Sequence, residues 1–441
     1  MNTKELLSKK IGYISLGCDK NRVDLEKIIT TLTNVGFKTE TDPSKANIII
    51  INTCSFIESA RKESINTILE MANLKQYNCE KIIVTGCLNE MNYQDLESSL
   101  PEVDTFVKVA DNNNIVKTIF DLYNVEYGNN YNHNTLDRII STPNHYAYLK
   151  ISEGCNNFCT YCTIPYIRGR FKSTPIEELV AEATYLANKG VTELILVGQD
   201  VTKYGYDLYN EYSLSKLINE LSKIDKIKWI RLLYCYPELV TNELIDTIKT
   251  NNKVVKYIDI PLQHINNQIL KKMNRRATKE QIIETITKLK NQIPEISIRS
   301  TFIVGFPGET KKQFKEILQF LKDYKLNNVG FFAYSREPGT IAYKMKKQLC
   351  SLIKNHRVKK AYKVQEKISY LNNLNLLNKT INVIIDSSEN DYFIGRSQAN
   401  APEIDNIVYV FGHAKIGDIV KVKITDVSSY ELKGEVYEST K

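Results

Sequence analysis

The stretch Tyr146-Ala-Tyr-Leu-Lys-Ile151-Ser-Glu-Gly-Cys155-Asn-Asn-Phe-Cys159-Thr-Tyr-Cys162 sets a C-x3-C-x2-C array directly behind a short apolar strand. A [4Fe–4S] cube has four corners, so three closely spaced thiolates leave one iron open for a bidentate ligand. The amino and carboxylate groups of S-adenosylmethionine (SAM) can chelate such an iron, and its reductive cleavage is radical chemistry that belongs to the cofactor rather than to side chains. A zinc site is the competing reading. Zinc ligands usually come as two paired C-x2-C or Cys/His units, and no second pair follows here.

Outward from this loop the chain alternates strand and helix six times over residues 141–371. Candidate strands are Tyr146–Ile151, Glu193–Val197, Lys228–Leu233, Val255–Ile260, Ser297–Val304 and Val329–Tyr334. The alternation predicts a partial (β/α)6 barrel, open on one side, with ligands gathered at the carboxyl ends of its strands. Each strand end carries polar or Gly/Pro-rich residues. Among them Gly198, Gln199 and Asp200 are candidates for the SAM amino group or ribose, and Gly305 to Glu309 for its adenine edge through exposed backbone. Turns of this kind also end strands for structural reasons alone. His264 reads equally as a packed polar residue or a catalytic one, and Arg168 as a carboxylate partner or a solvated cation. No catalytic side chain is assigned.

Residues 9–123 read as a second parallel α/β domain, with strands at Ile11–Leu16, Ile48–Asn52 and Lys81–Thr85. Cys18, Cys54 and Cys87 each fall one or two residues past one of these strands. Neighbouring strands lie about 5 Å apart, so three such loops can bring three thiols together as a second three-ligand cluster site. Against this stands the habit of small buried cysteines to sit near strands. Cys79, Cys235 and Cys350 lack such an address and read as ordinary core or surface thiols. Residues 124–144, rich in Asn, Tyr and Gly, read as a linker.

Residues 374–441 carry short β-rich runs (Ile381–Ile385, Ile407–Val410, Ile419–Ile424 and Leu432–Tyr437) punctuated by Gly395, Gly412 and Gly417, and predict a small OB-like β-barrel. This segment holds seven Lys/Arg and ten Asp/Glu, a net of −3, against +8 for all 441 residues, so the remainder stands near +11. Glu403 and Asp405, beside Pro402, are expected on an exposed turn of it. No apolar run approaches a membrane span; Ile48–Ile51 is only strand-sized. The N-terminus has no apolar signal core. A reducing, cytoplasmic location is expected, which makes ligation a better account of most of the nine cysteines than disulfides.

With two cysteine triplets and this three-part order, the chain resembles the radical-SAM methylthiotransferases over essentially its full length. The resemblance implies an N-terminal methylthiotransferase domain, a radical-SAM core and a C-terminal TRAM domain. It also implies two [4Fe–4S] clusters, SAM, an electron donor such as flavodoxin or ferredoxin, and a sulfur donor. Ser15-Leu-Gly-Cys18-Asp-Lys-Asn21, Asn52-Thr-Cys54-Ser-Phe-Ile57, Pro261-Leu-Gln-His264 and Ala401-Pro-Glu-Ile-Asp405 resemble the ribosomal-protein aspartate branch. Asp19 stands where that branch usually has Pro, Leu25 where Ser is usual, and Ser55 where Gly is common. None of these replaces a cysteine. The implied substrate is an aspartate of the twelfth small-subunit ribosomal protein, near the decoding centre, which becomes 3-methylthioaspartate. The branch that modifies tRNA adenosine is the alternative, and a noncatalytic iron–sulfur RNA-binding protein a more distant one. An acidic barrel suits a basic protein better than phosphates.

Overall fold

The computed structural model describes residues 1–90, 96–128 and 138–437; part of the expected linker and the last residues of the 374–441 segment lie outside these. The chain divides into two compact units. One is Met1–Ser141 with Glu153–Asn156 and Cys162–Lys172; the other is Thr142–Ser152 with Asn157–Tyr161 and Ser173–Lys441.

The first unit is built on a five-stranded parallel sheet of β1 (Lys10–Ser15), β2 (Lys38–Glu40), β3 (Ile48–Thr53), β4 (Lys81–Gly86) and β5 (Thr105–Phe106), in the order β2-β1-β3-β4-β5. The run Ile48-Ile-Ile-Ile51 takes the central place because it is buried on both faces. Alternation sends Ile48 and Ile50 into one core with Ile28, Ile29 and Leu32 of the helix Asp19–Val35. Ile49 and Ile51 enter another, with Ile68 of the helix Glu58–Ala72. Helices thus cover both faces, and the carboxyl edge of the sheet is left for loops.

The second unit holds six parallel strands: β6 (Tyr146–Lys150), β7 (Glu193–Val197), β8 (Trp229–Leu232), β9 (Val254–Asp259), β10 (Ser297–Val304) and β11 (Asn328–Ala333). Their order simply follows the chain, β6-β7-β8-β9-β10-β11, and the sheet does not close. Helices return the chain between strands. Two of them, Lys279–Gln292 and Lys311–Tyr324, start at capping boxes made by Thr278 with Gln281 and Thr310 with Gln313.

A closed five-stranded barrel completes this unit: β12 (Thr380–Ser388), β13 (Phe393–Ser397), β14 (Ile407–Phe411), β15 (Ile419–Val427) and β16 (Glu431–Val436). Val383, Ile385, Val408, Val410, Val422, Ile424 and Leu432 fill it. The barrel sits against the amino-terminal ends of the six strands through buried charge. Glu193 on β7 pairs with Arg231 Nε at 2.8 Å and Arg396 Nη1 at 2.9 Å. Asp386 takes Arg396 Nε at 2.6 Å and His145 Nε2 at 2.8 Å.

This junction overturns the expected placement of Asp405. Its carboxylate is 1% exposed; it accepts from Tyr257 Oη at 2.7 Å and Ala401 N–H at 2.9 Å, and faces Arg299 Nε at 3.3 Å. A Pro/acid turn looks solvated in sequence, yet it meets a strand Arg and Tyr more than a hundred residues earlier. Glu403 stays exposed, with its carboxylate accepting from Tyr146 Oη at 3.3 Å. With Asp405 matched by Arg299 of the sheet, the solvent-facing charge of the barrel is closer to balance than the residue count implies, while Asp386 and Arg396, both in the barrel segment, cancel each other. No helix among the described residues is long and apolar enough to cross a membrane.

Candidate metal centres

Cys18, Cys54 and Cys87 follow β1, β3 and β4, which are neighbours in the first sheet, and all three are free thiols. Their loops are tied together by Asn21. Its amide nitrogen donates to Leu16 O and Thr53 O, both at 2.9 Å. Its side-chain oxygen lies 3.6 Å from Cys87 Sγ, and its backbone carbonyl accepts from Asn52 Nδ2 at 2.6 Å. Ser64 Oγ receives the Cys54 N–H at 3.0 Å and donates to Cys54 O at 2.8 Å. Ser55, at the position where the family commonly has Gly, donates its hydroxyl to Cys87 O at 2.7 Å. Gly17 (φ +91°) leaves room for Cys54, since a Cβ there would lie 2.9 Å from its Sγ. Gly86 (φ +92°) lies so close to Asn52 Oδ1 and the Thr53 carbonyl that a Cβ would overlap both.

The electrostatics of the site pull two ways. Cys18 is the N-cap residue of the helix Asp19–Val35, whose positive end faces its loop. Burial pushes the Cys87 thiol up to about 12 and raises Cys54, while the Arg168 guanidinium works the other way on both. Arg168 belongs to the same unit; it is hydrogen-bonded to Asn21 Oδ1 and paired with Asp24 at 2.5 Å and Glu153 at 3.3 Å. Iron would take these thiols as thiolates, a deprotonation that burial opposes and that Arg168 and the helix N-terminus favour. Among the described residues no group of three or more His, Cys, Asp or Glu is set to hold a single metal ion. A cubane asks for thiols further apart, because its own edges lie between them. Three soft donors at one sheet edge fit such a cluster.

Of the second triplet, Cys155 and Cys162 belong to the first unit and Cys159 to the second. In the first, Cys155 N–H donates to Gly169 O at 3.1 Å, and Cys162 Sγ accepts from Ile164 N–H at 3.4 Å. In the second, Thr160 is pinned by its N–H to Met273 O at 3.0 Å and its hydroxyl to Lys272 O at 2.8 Å. Arg275 and Tyr236 flank Cys159 Sγ, each 4.0 Å away, with the guanidinium stacked 4.1 Å from the tyrosine ring. Tyr236 lies in the strand-end run Tyr234-Cys-Tyr-Pro237, whereas Arg275 carried no sequence signal.

Gly198, Gln199 and Asp200 follow β7, and Gly305 to Glu309 follow β10. Both groups stand at the carboxyl edge of the sheet, with β8 and β9 between them. Asp200 is buried, which raises its carboxyl above the usual range, and it accepts from Thr202 Oγ1 at 2.6 Å and Asn157 Nδ2 at 2.9 Å. Glu309 holds its own loop: its carboxylate takes the Gly305 N–H at 2.8 Å and pairs with Arg357. His264 is packed, its Nδ1 accepting two backbone N–H groups at 2.9 Å while Nε2 lies 3.6 Å from Glu309. Cys79 and Cys235 are buried in the core and Cys350 is exposed.

The open parallel sheet with its cysteine loop defines a radical SAM enzyme, and family models agree. Residues 149–321 match the radical SAM superfamily, 10–108 the uncharacterized protein family UPF0004, and 379–436 the TRAM domain. The chain is 47% identical over 435 residues to the ribosomal protein uS12 methylthiotransferase RimO of Thermoanaerobacter sp. (strain X514), covering 97% of this chain and 100% of that one. It is 48% identical over 439 residues to RimO of Clostridium botulinum (strain Eklund 17B / Type B), covering 97% and 98%. Among solved structures, the radical SAM methyltransferase TsrM from Kitasatospora setae matches in fold with a TM-score of 0.58 at 12% identity, over 76% of this chain and 77% of that one. The chain therefore belongs to the RimO family of radical-SAM methylthiotransferases, enzymes that use SAM and [4Fe–4S] clusters.

Proposed function

We propose that the chain methylthiolates the β-carbon of an aspartate in ribosomal protein uS12, with Cys18, Cys54 and Cys87 holding one [4Fe–4S] cluster and Cys155, Cys159 and Cys162 the other. Membership of the RimO family supports the reaction, and the convergence of three strand-end loops on Asn21 carries the assignment of the first triplet. When bound, the clusters and SAM supply hydrogen abstraction, sulfur and a methyl group. The protein orients the thiols through Asn21, Ser55 and Ser64, shields Cys54 and Cys87 from water, and sets a guanidinium beside each triplet. Gly198, Gln199 and Asp200 with the Gly305–Glu309 loop form the proposed SAM edge. Glu309 there shapes the loop, and the backbone is what the loop offers. The functional domains are 9–123, 141–371 and 374–441. A flavodoxin or ferredoxin supplies electrons, and a separate donor renews the sulfur.

Peptide mass spectrometry of uS12 incubated with reconstituted enzyme, SAM and reductant tests the substrate. A methylthio gain on its aspartate peptide is expected. Unmodified uS12 alongside methylthioadenosine in tRNA would instead select the tRNA branch. The ligand assignment is tested by iron. Reconstituted protein should hold about eight irons, and the Cys155→Ala/Cys159→Ala/Cys162→Ala variant about four, by the stoichiometry of two cubanes. Loss of all iron, or zinc in its place, would sink the two-cluster assignment.

A further inference from the structure

The segment Lys311–Lys367 holds fifteen Lys/Arg and four Asp/Glu, which concentrates the positive balance of the chain in one region. Within it, the turn around Ala342 touches the cysteine loop. Ala342 N–H donates to Thr160 O at 2.8 Å, one residue from Cys159. Ala342, Met345 and Tyr161 share a small apolar cluster with Ile269, Met273 and Phe306. On the outer side of this contact Arg336, Lys344, Lys346 and Lys347 are exposed, and Lys272 joins them across Gly308. None of the five is in an ion pair with a carboxylate among the described residues. The neighbouring Glu337 is turned inward, 1% exposed. Between the cations lie Ile341 and Tyr343, 56% and 36% exposed, with Arg336 stacked 4.4 Å from the Tyr343 ring and donating to its carbonyl. An exposed apolar centre rimmed by like charges is the make-up of a small, transient, electrostatically steered interface.

We propose that this face, Arg336–Lys347 with Lys272, docks the acidic surface of a small one-electron carrier that reduces the cluster assigned to Cys155, Cys159 and Cys162. The inference rests on that ligand assignment. One electron leaves the carrier, which is oxidised by one equivalent, and enters the cluster, which is reduced by one; no bond is made or broken and no proton moves. The Ala342–Thr160 hydrogen bond gives the docked partner a short path through backbone to the residue beside a cluster ligand. Opposed to this is a merely solvated basic face, or one that meets ribosomal RNA. Against both stands the contact with the cysteine loop, which places the cations beside the cluster that a reductant must reach.

The test uses full-length reconstituted Lys344→Glu/Lys346→Glu; neither lysine side chain has a hydrogen bond or ion pair among the described residues. Reduction of the cluster is followed by its reduced-state EPR signal and visible bleaching, with flavodoxin hydroquinone as the probe and photoreduced deazariboflavin, small and uncharged, as the comparison. Flavodoxin-driven reduction should slow about tenfold or more, since opposed charge removes the steering that raises such on-rates. The deazaflavin rate should not change. High salt should bring wild type down toward the variant as the Debye length shrinks. Equal flavodoxin rates in both proteins would overturn the proposal. So would an equal slowing with both reductants, which would make the face a support of the cluster loop. Loss of binding to 16S ribosomal RNA at unchanged flavodoxin rate would assign the face to RNA and overturn it too. If wild type yields no reduced-cluster signal with deazaflavin, the ligand assignment itself fails and the docking face falls with it.

Discussion

An Arg396→Met variant should lose about 3–5 kcal/mol of unfolding free energy, the cost of stripping a buried charge of its partner. Arg396 is 2% exposed and spans the seam of the second unit, bonding Glu193 at 2.9 Å and both oxygens of Asp386, 5.1 Å above the Tyr146 ring. Without it Glu193, fully buried, keeps only Arg231, and Asp386 keeps only His145. Urea unfolding would measure the loss. Hydrogen exchange in β12–β16 should rise first, because these strands hold to the sheet through this charge. A loss below about 1 kcal/mol would show that packing, not charge, seats the barrel. The same contacts give a pH dependence. Burial alone would raise both carboxyls, yet the His145 hydrogen bond and the Arg396 charge hold Asp386 below the usual range, and Arg396 with Arg231 do so for Glu193. A depressed carboxylate contributes stability above its unfolded value, about 4, and loses it as pH falls through the folded value. Wild type should therefore weaken below about pH 4, and the variant should show a shallower acid slope.

Much of the fold was legible because short apolar strands carry their own signal. Glu193–Val197 and Ser297–Val304 were read to the residue, and Cys18, Cys54 and Cys87 were placed at neighbouring strand ends from local pattern alone. Strands with little apolar content were missed: the edges Lys38–Glu40 and Thr105–Phe106, and Phe393–Ser397, interrupted by Gly395. Contacts between distant segments left no trace in pattern. Asp405 looked solvated until Arg299 and Tyr257 came to it, and Arg275 offered nothing to link it with Cys159. Periodicity reports which face a residue takes; it does not report which charge from another strand will face it.

Asn21 shows the same limit, and replacing it should have the largest functional effect of any residue that is not a cysteine. An Asn21→Leu variant keeps the branched shape, with somewhat larger methyl groups, but removes two donors and an acceptor from a fully buried position. The carbonyls of Leu16 and Thr53 lose their partner, and Arg168 loses one acceptor beside Cys87. Each buried polar group left unpaired costs about 1–3 kcal/mol, and here the cost falls on the loops that carry Cys18, Cys54 and Cys87. The sheet beneath them is held by its own cores, so the loops should part while the fold persists. Reconstituted Asn21→Leu should then retain about four of eight irons, still cleave SAM to 5′-deoxyadenosine, and form no methylthio product. Asn21→Asp is the sharper companion: it keeps the acceptor toward Arg168 and loses the donors, so iron loss in both variants would trace the effect to the Leu16 and Thr53 bonds. Iron loss in the leucine variant alone would give the larger part to Arg168. Full iron content and product formation in Asn21→Leu would mean that the cluster organises its own loops, and that Asn21 only fills the space beneath them.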